Sequence, residues 1–230
     1  MSGNISILEK LFWVSKAVKF SRSFVLRIIN LIKTLKTQKE NISLTLDIRK
    51  DFLWWFSYME VFNGVQFLVP DSISIQIAGD ACVIGMGSDN PNDNSYFSTK
   101  FPLYLQDPSI PIHLKEFVCV IIAVKFWGPS WAGKRVAIFC DNDSVCDVIT
   151  NLKPKDHNMQ AYLREFLFWV CKYNFHPILS KISSGENDIA DFLSRNFSDS
   201  DAQSFFSKEN LVLPIKMPVT ESDYLFIADW

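Results

Sequence analysis

The chain has 230 residues, 48% of them hydrophobic, which excludes wholesale disorder and allows one large domain or a medium domain with an appendage. The net charge of −2 is uneven: residues 1–66 carry 10 Lys+Arg against 5 Asp+Glu, and residues 67–230 carry 13 against 20. No run reaches the roughly 18 apolar residues of a membrane span, and Lys16 breaks the early apolar stretch, so neither a span nor a secretory leader is expected and the protein is placed inside the cell, in cytoplasm or nucleus.

Residues 5–39 read as helical. Ile7, Leu8, Leu11, Phe12, Ser15 and Val18 keep a spacing of three to four, and Phe24, Ile28, Leu31, Ile32 and Leu35 share one face of a second stretch. The basic residues between them, Lys33 and Lys36 among them, fit a phosphate-gripping arm or an ordinary solvated helix face. Asp47–Phe62 is a third helical stretch holding the aromatic cluster Phe52, Trp54, Trp55 and Phe56. Asn63-Gly64 stops it. A domain boundary is expected near residues 63–71, giving a helical segment 1–66.

Strand signals follow. Ile73, Ile75 and Ile77 alternate with Ser72, Ser74 and Gln76 and lead into Gly79-Asp80. Val83–Gly87 is the expected return strand, Asp89–Asn94 a turn-rich loop, and Tyr96–Ser98 a third strand. His113–Trp131 is an apolar helix expected to be covered on more than one side. Arg135–Cys140 is a strand stopping at Asp141. Ser144–Leu152 and Met159–Tyr173 are helices, His176–Ile182 a strand, and Asn187–Phe197 a last helix. This order predicts an α/β (mixed α+β) domain over 67–197, a mixed sheet with helices on its faces. Residues 198–230 read as a polar tail with one short ordered piece at Tyr224–Trp230. The cysteines Cys82, Cys119, Cys140, Cys146 and Cys171 contain no C-x-x-C pair and read as buried free thiols in a reducing compartment.

Four acids stand at element ends. Asp80 and Asp141 close strands, Glu116 lies in the first turn of the long helix, and Asp191 in the first turns of the last. Each has an ordinary explanation alone: an Asp after a strand serves a turn, and an acid early in a helix offsets the dipole. Gathered together, they would repel one another without a cation. Two Mg2+ ions held roughly 3.5–4 Å apart by such oxygens can activate water and stabilise a leaving oxygen at phosphorus. Asp188, Asp143 and Asp147 are acidic neighbours, Asp188 reading as a helix-start or surface carboxylate.

The run HLKEFVCVIIAVKFWGPSWAGKRVAIFCDNDSVCDVI resembles the middle of the ribonuclease H domain of retrotransposon reverse transcriptases, most of all the DIRS-type, tyrosine-recombinase elements. NDIADFLSR resembles the closing signature of those domains and GDACVIGMG their opening strand. The likeness covers about residues 71–197. LEKLFWVSKAVKFSRSFVLRIINLIKTLK and LDIRKDFLWWFSYMEVFNGVQFL resemble the thumb or connection segment that precedes the domain, which would grip a duplex backbone with residues such as Lys33 and Lys36. The resemblance implies a five-stranded mixed sheet flanked by helices. It also implies Asp80, Glu116, Asp141 and Asp191 as catalytic, metal-binding acids for two Mg2+, with Mn2+ as substitute. Asn142 is implied as a residue fixing its loop or touching substrate, and hydrolysis of the RNA strand of an RNA–DNA hybrid as the activity, recognised through 2′-hydroxyls and duplex shape. Two departures stand out: Lys181 occupies the place of a usual loop His, and the paired aspartates of a polymerase palm are absent, so the palm and fingers of the same element would be a partner. A catalytically weak nucleic-acid-binding remnant is the alternative, and a scaffold built on exposed aromatics such as Trp54 and Trp55 a third reading.

Overall fold

The alternation around Ile75 and Ile77 produces β1 (Ile75–Ala81), whose apolar residues are buried and whose Gln76 is exposed. In the computed structural model, which describes residues 3–18, 20–33, 43–65, 71–154 and 156–225, β1 is central in a six-stranded sheet. It pairs antiparallel with β2 (Gly85–Asn90) and parallel with β4 (Arg135–Cys140). Outside these run β3 (Ser95–Lys100), antiparallel to β2, and β5 (His176–Lys181), parallel to β4. These five strands form the expected mixed sheet.

The sixth strand was not foreseen. Residues 198–225 form α8 (Asp199–Lys208), the two-residue strand β6 (Ile215–Lys216) beside β3, and a 3₁₀ turn at Glu221–Tyr224. The polar composition that reads as a tail conceals three anchors. Ala202 and Phe206 bury against Tyr96, and Met217 N–H donates to the Tyr96 carbonyl at 2.7 Å. The expected ordered piece therefore lies earlier, at 221–224; residues 226–230 lie outside the described part.

Neighbouring β positions face opposite sides of the sheet, and two glycines show what lies on each. A Cβ at Gly79 would meet Cys119 Sγ of α4 (Ile112–Trp127), whereas one at Gly87 would meet Leu193 of α7 (Asp188–Arg195). Helices α4 and α7 thus cover opposite faces. Almost every residue of α4 is buried, because the sheet lies on one side and α6 (His157–Tyr173) on the other. The short α5 (Asp143–Asn151) packs between β5, α4 and α6.

The N-terminal helices are α1 (Gly3–Ala17), α2 (Ser23–Lys33) and α3 (Leu46–Val61). α1 and α2 are separated at Phe20, whose φ of 67° breaks the helix. Trp54 and Trp55 are buried, not exposed. Trp54 stacks on Phe24 and Tyr58, and its indole N–H donates to the Arg164 carbonyl of α6 at 3.1 Å, so these rings dock α3 and do not serve a partner. The scaffold reading built on them falls with that packing. Asp51, fully buried, accepts hydrogen bonds from Arg27 of α2 and Arg164 of α6, which joins three helices at one carboxylate. Val18, Phe24, Trp54 and Tyr58 belong to the same apolar cluster as the sheet and α4.

Candidate metal centre

Asp80 is the penultimate residue of β1 and is 6% exposed. Its strand partner is Gly87, so its side chain rises on the α7 face. The absence of a side chain at Gly87 lets α7 lie directly on β2: a Cβ there would stand 2.4 Å from Leu193 Cβ and 2.6 Å from Ser194 N. Further ties hold the helix down. Ser98 Oγ donates to the Leu193 and Asn196 carbonyls at 2.7 Å, and Cys82 Sγ–H donates to the Ser194 carbonyl at 3.0 Å. The Gly-x-Gly after Asp80 is therefore a close-approach surface for the helix that carries Asp191.

From the other face, α4 presents Glu116, also 6% exposed. Asp141 follows β4 directly, and Asn142 caps α5, its side-chain oxygen accepting from Ser144 N–H at 2.9 Å and Val145 N–H at 3.3 Å. Asn142 thus fixes its loop, and its side chain favours the charged form of Glu116. Oxygen atoms of Glu116 and Asp141 and the sulfur of Cys140 lie within 4.8 Å of one another.

The acids act on one another electrostatically. Burial pushes the Glu116 carboxyl up to about 8, and the charges of Asp141 and Asp80 push the same way. Asp80 is also raised, first by burial and then by Asp141 and Asp191, against a hydrogen bond from Ser194 and the charge of Arg195. Asp80 therefore feels acids contributed by β4 and α7, and Glu116 feels those of β1 and β4. Asp191 reaches the group from the exposed side, where Arg195 clamps it through two hydrogen bonds of 3.1 and 2.6 Å.

Asp80 Oδ2 is buried and has no hydrogen-bond partner. A buried acceptor without a donor costs about 1–3 kcal/mol, and a divalent cation would satisfy it. Among the described residues, the donor atoms within 4.8 Å of one another are those of Glu116, Cys140 and Asp141, whose carboxylate oxygens fit such an ion, while Asp80 acts on Glu116 by charge and Asp191 on Asp80. Asp188 is exposed at the start of α7, as a helix-start carboxylate would be. Asp143 is exposed and paired to Lys181 at 2.7 Å, which places that lysine's charge within range of Asp141. Lys33 is exposed at the end of α2, a helix packed on α1 and α3, while Lys36 lies outside the described residues.

Cys140, Ser194 and Arg195 are participants that the sequence pattern did not single out. Ser194 and Arg195 sit three and four residues after Asp191, the helical spacing that returns a side chain to the same face. Cys140 gives no signal beyond adjacency to Asp141.

No family model matches the chain, and no curated protein does. Among solved structures, LC11-RNase H1 in complex with an RNA/DNA hybrid is similar, with 14% identity, a TM-score of 0.43, and coverage of 52% of this chain and 93% of that one. The N-terminal RNase H domain of rv2228c from Mycobacterium tuberculosis, solved as a fusion with maltose-binding protein, shows 15% identity, a TM-score of 0.38, and coverage of 57% and 99%. These are likenesses of fold at low scores, and the functional reading below stands on the carboxylates instead.

Proposed function

We propose that this chain is a two-metal-ion endonuclease that hydrolyses the RNA strand of RNA–DNA hybrids, as the ribonuclease H part of a retrotransposon reverse transcriptase. The observation that carries the reading is the grouping of Glu116 and Asp141 oxygens within 4.8 Å of each other, with the charge of Asp80 acting on Glu116, that of Asp191 acting on Asp80, and Asp80 Oδ2 buried and unpartnered. Bound Mg2+, or Mn2+ in its place, would activate a water and neutralise charge at the scissile phosphate.

The protein's own part is positioning. Asp80 is paired with Gly87 between β1 and β2, and Asp141 directly follows Cys140, which is paired with Lys181 between β4 and β5, so backbone pairing limits movement at or beside both acids. Asn142 caps α5 directly after Asp141, and the Ser194 hydroxyl donates to the Asp191 carbonyl at 2.9 Å. Arg195 keeps Asp191 beside Asp80 when no cation is present. Lys181, the last residue of β5, supplies a positive charge near Asp141, in the place where the resembling domains carry His, and is placed to attract a phosphate. Lys33 and Lys36 are proposed as backbone contacts of the N-terminal segment (1–66), with residues 67–197 as the catalytic domain. The polymerase palm and fingers of the same element would deliver the hybrid.

The reading is tested with a hybrid labelled on its RNA strand, incubated in Mg2+ with wild type and Asp141→Asn. Cleavage by the wild type and a loss of at least a hundredfold in the variant are expected. Equal rates in the two proteins would end the proposal. A second reading, a catalytically weak nucleic-acid-binding remnant, is favoured by the Arg195 clamp on Asp191 and by Lys181 in place of the His. It predicts salt-dependent hybrid binding with no cleavage by either protein.

A further inference from the structure

Cys140 places a sulfur among the acids. Its side chain is 1% exposed, and its Sγ–H donates to Glu116 Oε2 at 3.5 Å. Asp141 completes a group whose donor atoms all lie within 4.8 Å of one another. Asp80, whose charge acts on Glu116, is 6% exposed and has a buried Oδ2 without a hydrogen-bond partner. A second thiol is close: Cys146, in the first turns of α5, donates its Sγ–H to the Cys140 carbonyl at 3.7 Å.

We infer that Cys140, Glu116 and Asp141 form a site for a thiophilic divalent cation, of the class of Co2+, Zn2+ and Cd2+, which would displace Mg2+ from the same acids. Metal–sulfur bonds of about 2.3 Å and metal–oxygen bonds of about 2.0–2.2 Å in a tetrahedron put ligand atoms about 3.5 Å apart. The Cys140–Glu116 separation already meets this spacing. The Asp141 oxygen lies within 4.8 Å of both. On binding, the cation takes the place of the thiol proton, which passes to buffer, and the sulfur that had donated to Glu116 becomes a ligand beside it. Mg2+ gains little from sulfur, whereas the borderline and soft cations prefer it. The site would therefore be occupied preferentially by these ions, and they would block the hard-ion chemistry. The inference rests on the proposed function for the role of Glu116 and Asp141 as metal ligands.

The test is a titration of the full reduced chain with Co2+, followed by the near-ultraviolet sulfur-to-cobalt charge-transfer band. Wild type and Cys171→Ser should show the band. Cys140→Ser should lose it, and Glu116→Gln should bind Co2+ at least tenfold more weakly. Absence of the band in wild type, or an undiminished band in Cys140→Ser, overturns the inference. If Cys140→Ser does not fold by circular dichroism, Glu116→Gln and Asp141→Asn decide: unchanged Co2+ affinity in both overturns it. Hybrid cleavage in Mg2+ without any sulfur band would leave the nuclease reading standing and remove this one. A band without cleavage would do the reverse.

Discussion

Asp80 concentrates the conflict between stability and function in this chain. Its carboxylate is buried, faces the charges of Asp141 and Asp191, and leaves Oδ2 without a donor. Asp80→Asn removes the repulsion and keeps the shape, so the metal-free variant should be as stable as wild type or more stable by about 1 kcal/mol. Saturating Mg2+ should raise the Tm of wild type and leave that of the variant unchanged; scanning calorimetry with and without chelator reads both. Asp89 offers an independent check away from the acids. On β2 it is half-buried, its buried Oδ1 has no hydrogen-bond partner, and desolvation raises its carboxyl to about 6. Because the folded value lies above the ordinary 3.8, the favourable contribution belongs to the protonated form: it is fully present below about 3.8 and lost as pH rises through 6. Asp89→Asn should therefore stabilise by about 1–3 kcal/mol at pH 8 and change little at pH 4, as measured by urea denaturation. Such pairings of side chains were only partly legible beforehand. The four acids read as a set through the resemblance to ribonuclease H domains, since the position of each at an element's start or end has an ordinary explanation alone. Cys140 and the Arg195 clamp did not, since a thiol next to an Asp or an Arg in a last helical turn is ordinary in sequence.

α7 reaches the acids only because Gly87 lets it. Gly87→Ala places a methyl 2.4 Å from Leu193 Cβ and the Leu193 carbonyl carbon, and backbone atoms cannot yield as a side-chain tip can. Overpacking of this kind costs about 1–3 kcal/mol, and the displaced helix carries Asp191 away from Asp80. The expected result is a modest loss in urea midpoint with a loss of hybrid cleavage of at least tenfold. Stability reduced with activity intact would show that Asp191 is not needed where it lies. α3 depends on Asp51 in the same way. Asp51→Ala leaves Arg164, 1% exposed in its side chain, without its buried counter-charge, and should cost about 3–5 kcal/mol in urea denaturation. Helix periodicity located α3 to within a residue, yet which of its aromatic residues were covered depended on α2 and α6, far away in sequence. β2 was displaced for a related reason: Gly85–Asn90 has no intrinsic strand preference, and its pairing with β1 and β3 imposes the conformation.

In the molecule as a whole, a mixed sheet carries α4, backed by α6, on one face and α7 on the other. The element order made this architecture legible, because alternating strands and helices of these lengths have few other solutions. The added edge was not legible, since β6 has only two residues and is held by pairing with β3 and by the packing of α8. The helices α1 to α3 share one apolar cluster with the sheet, and among the described residues no helix is long and apolar enough to cross a membrane. The account of the acids as a two-metal hydrolytic centre is tested most directly by mass spectrometry of the products of an RNA–DNA hybrid in Mg2+. RNA fragments with 5′-phosphate and 3′-hydroxyl ends, intact DNA, and no products with chelator or with the Asp80→Asn, Asp141→Asn double variant are predicted. RNA ends carrying a cyclic phosphate, or products that persist in the double variant, would contradict it.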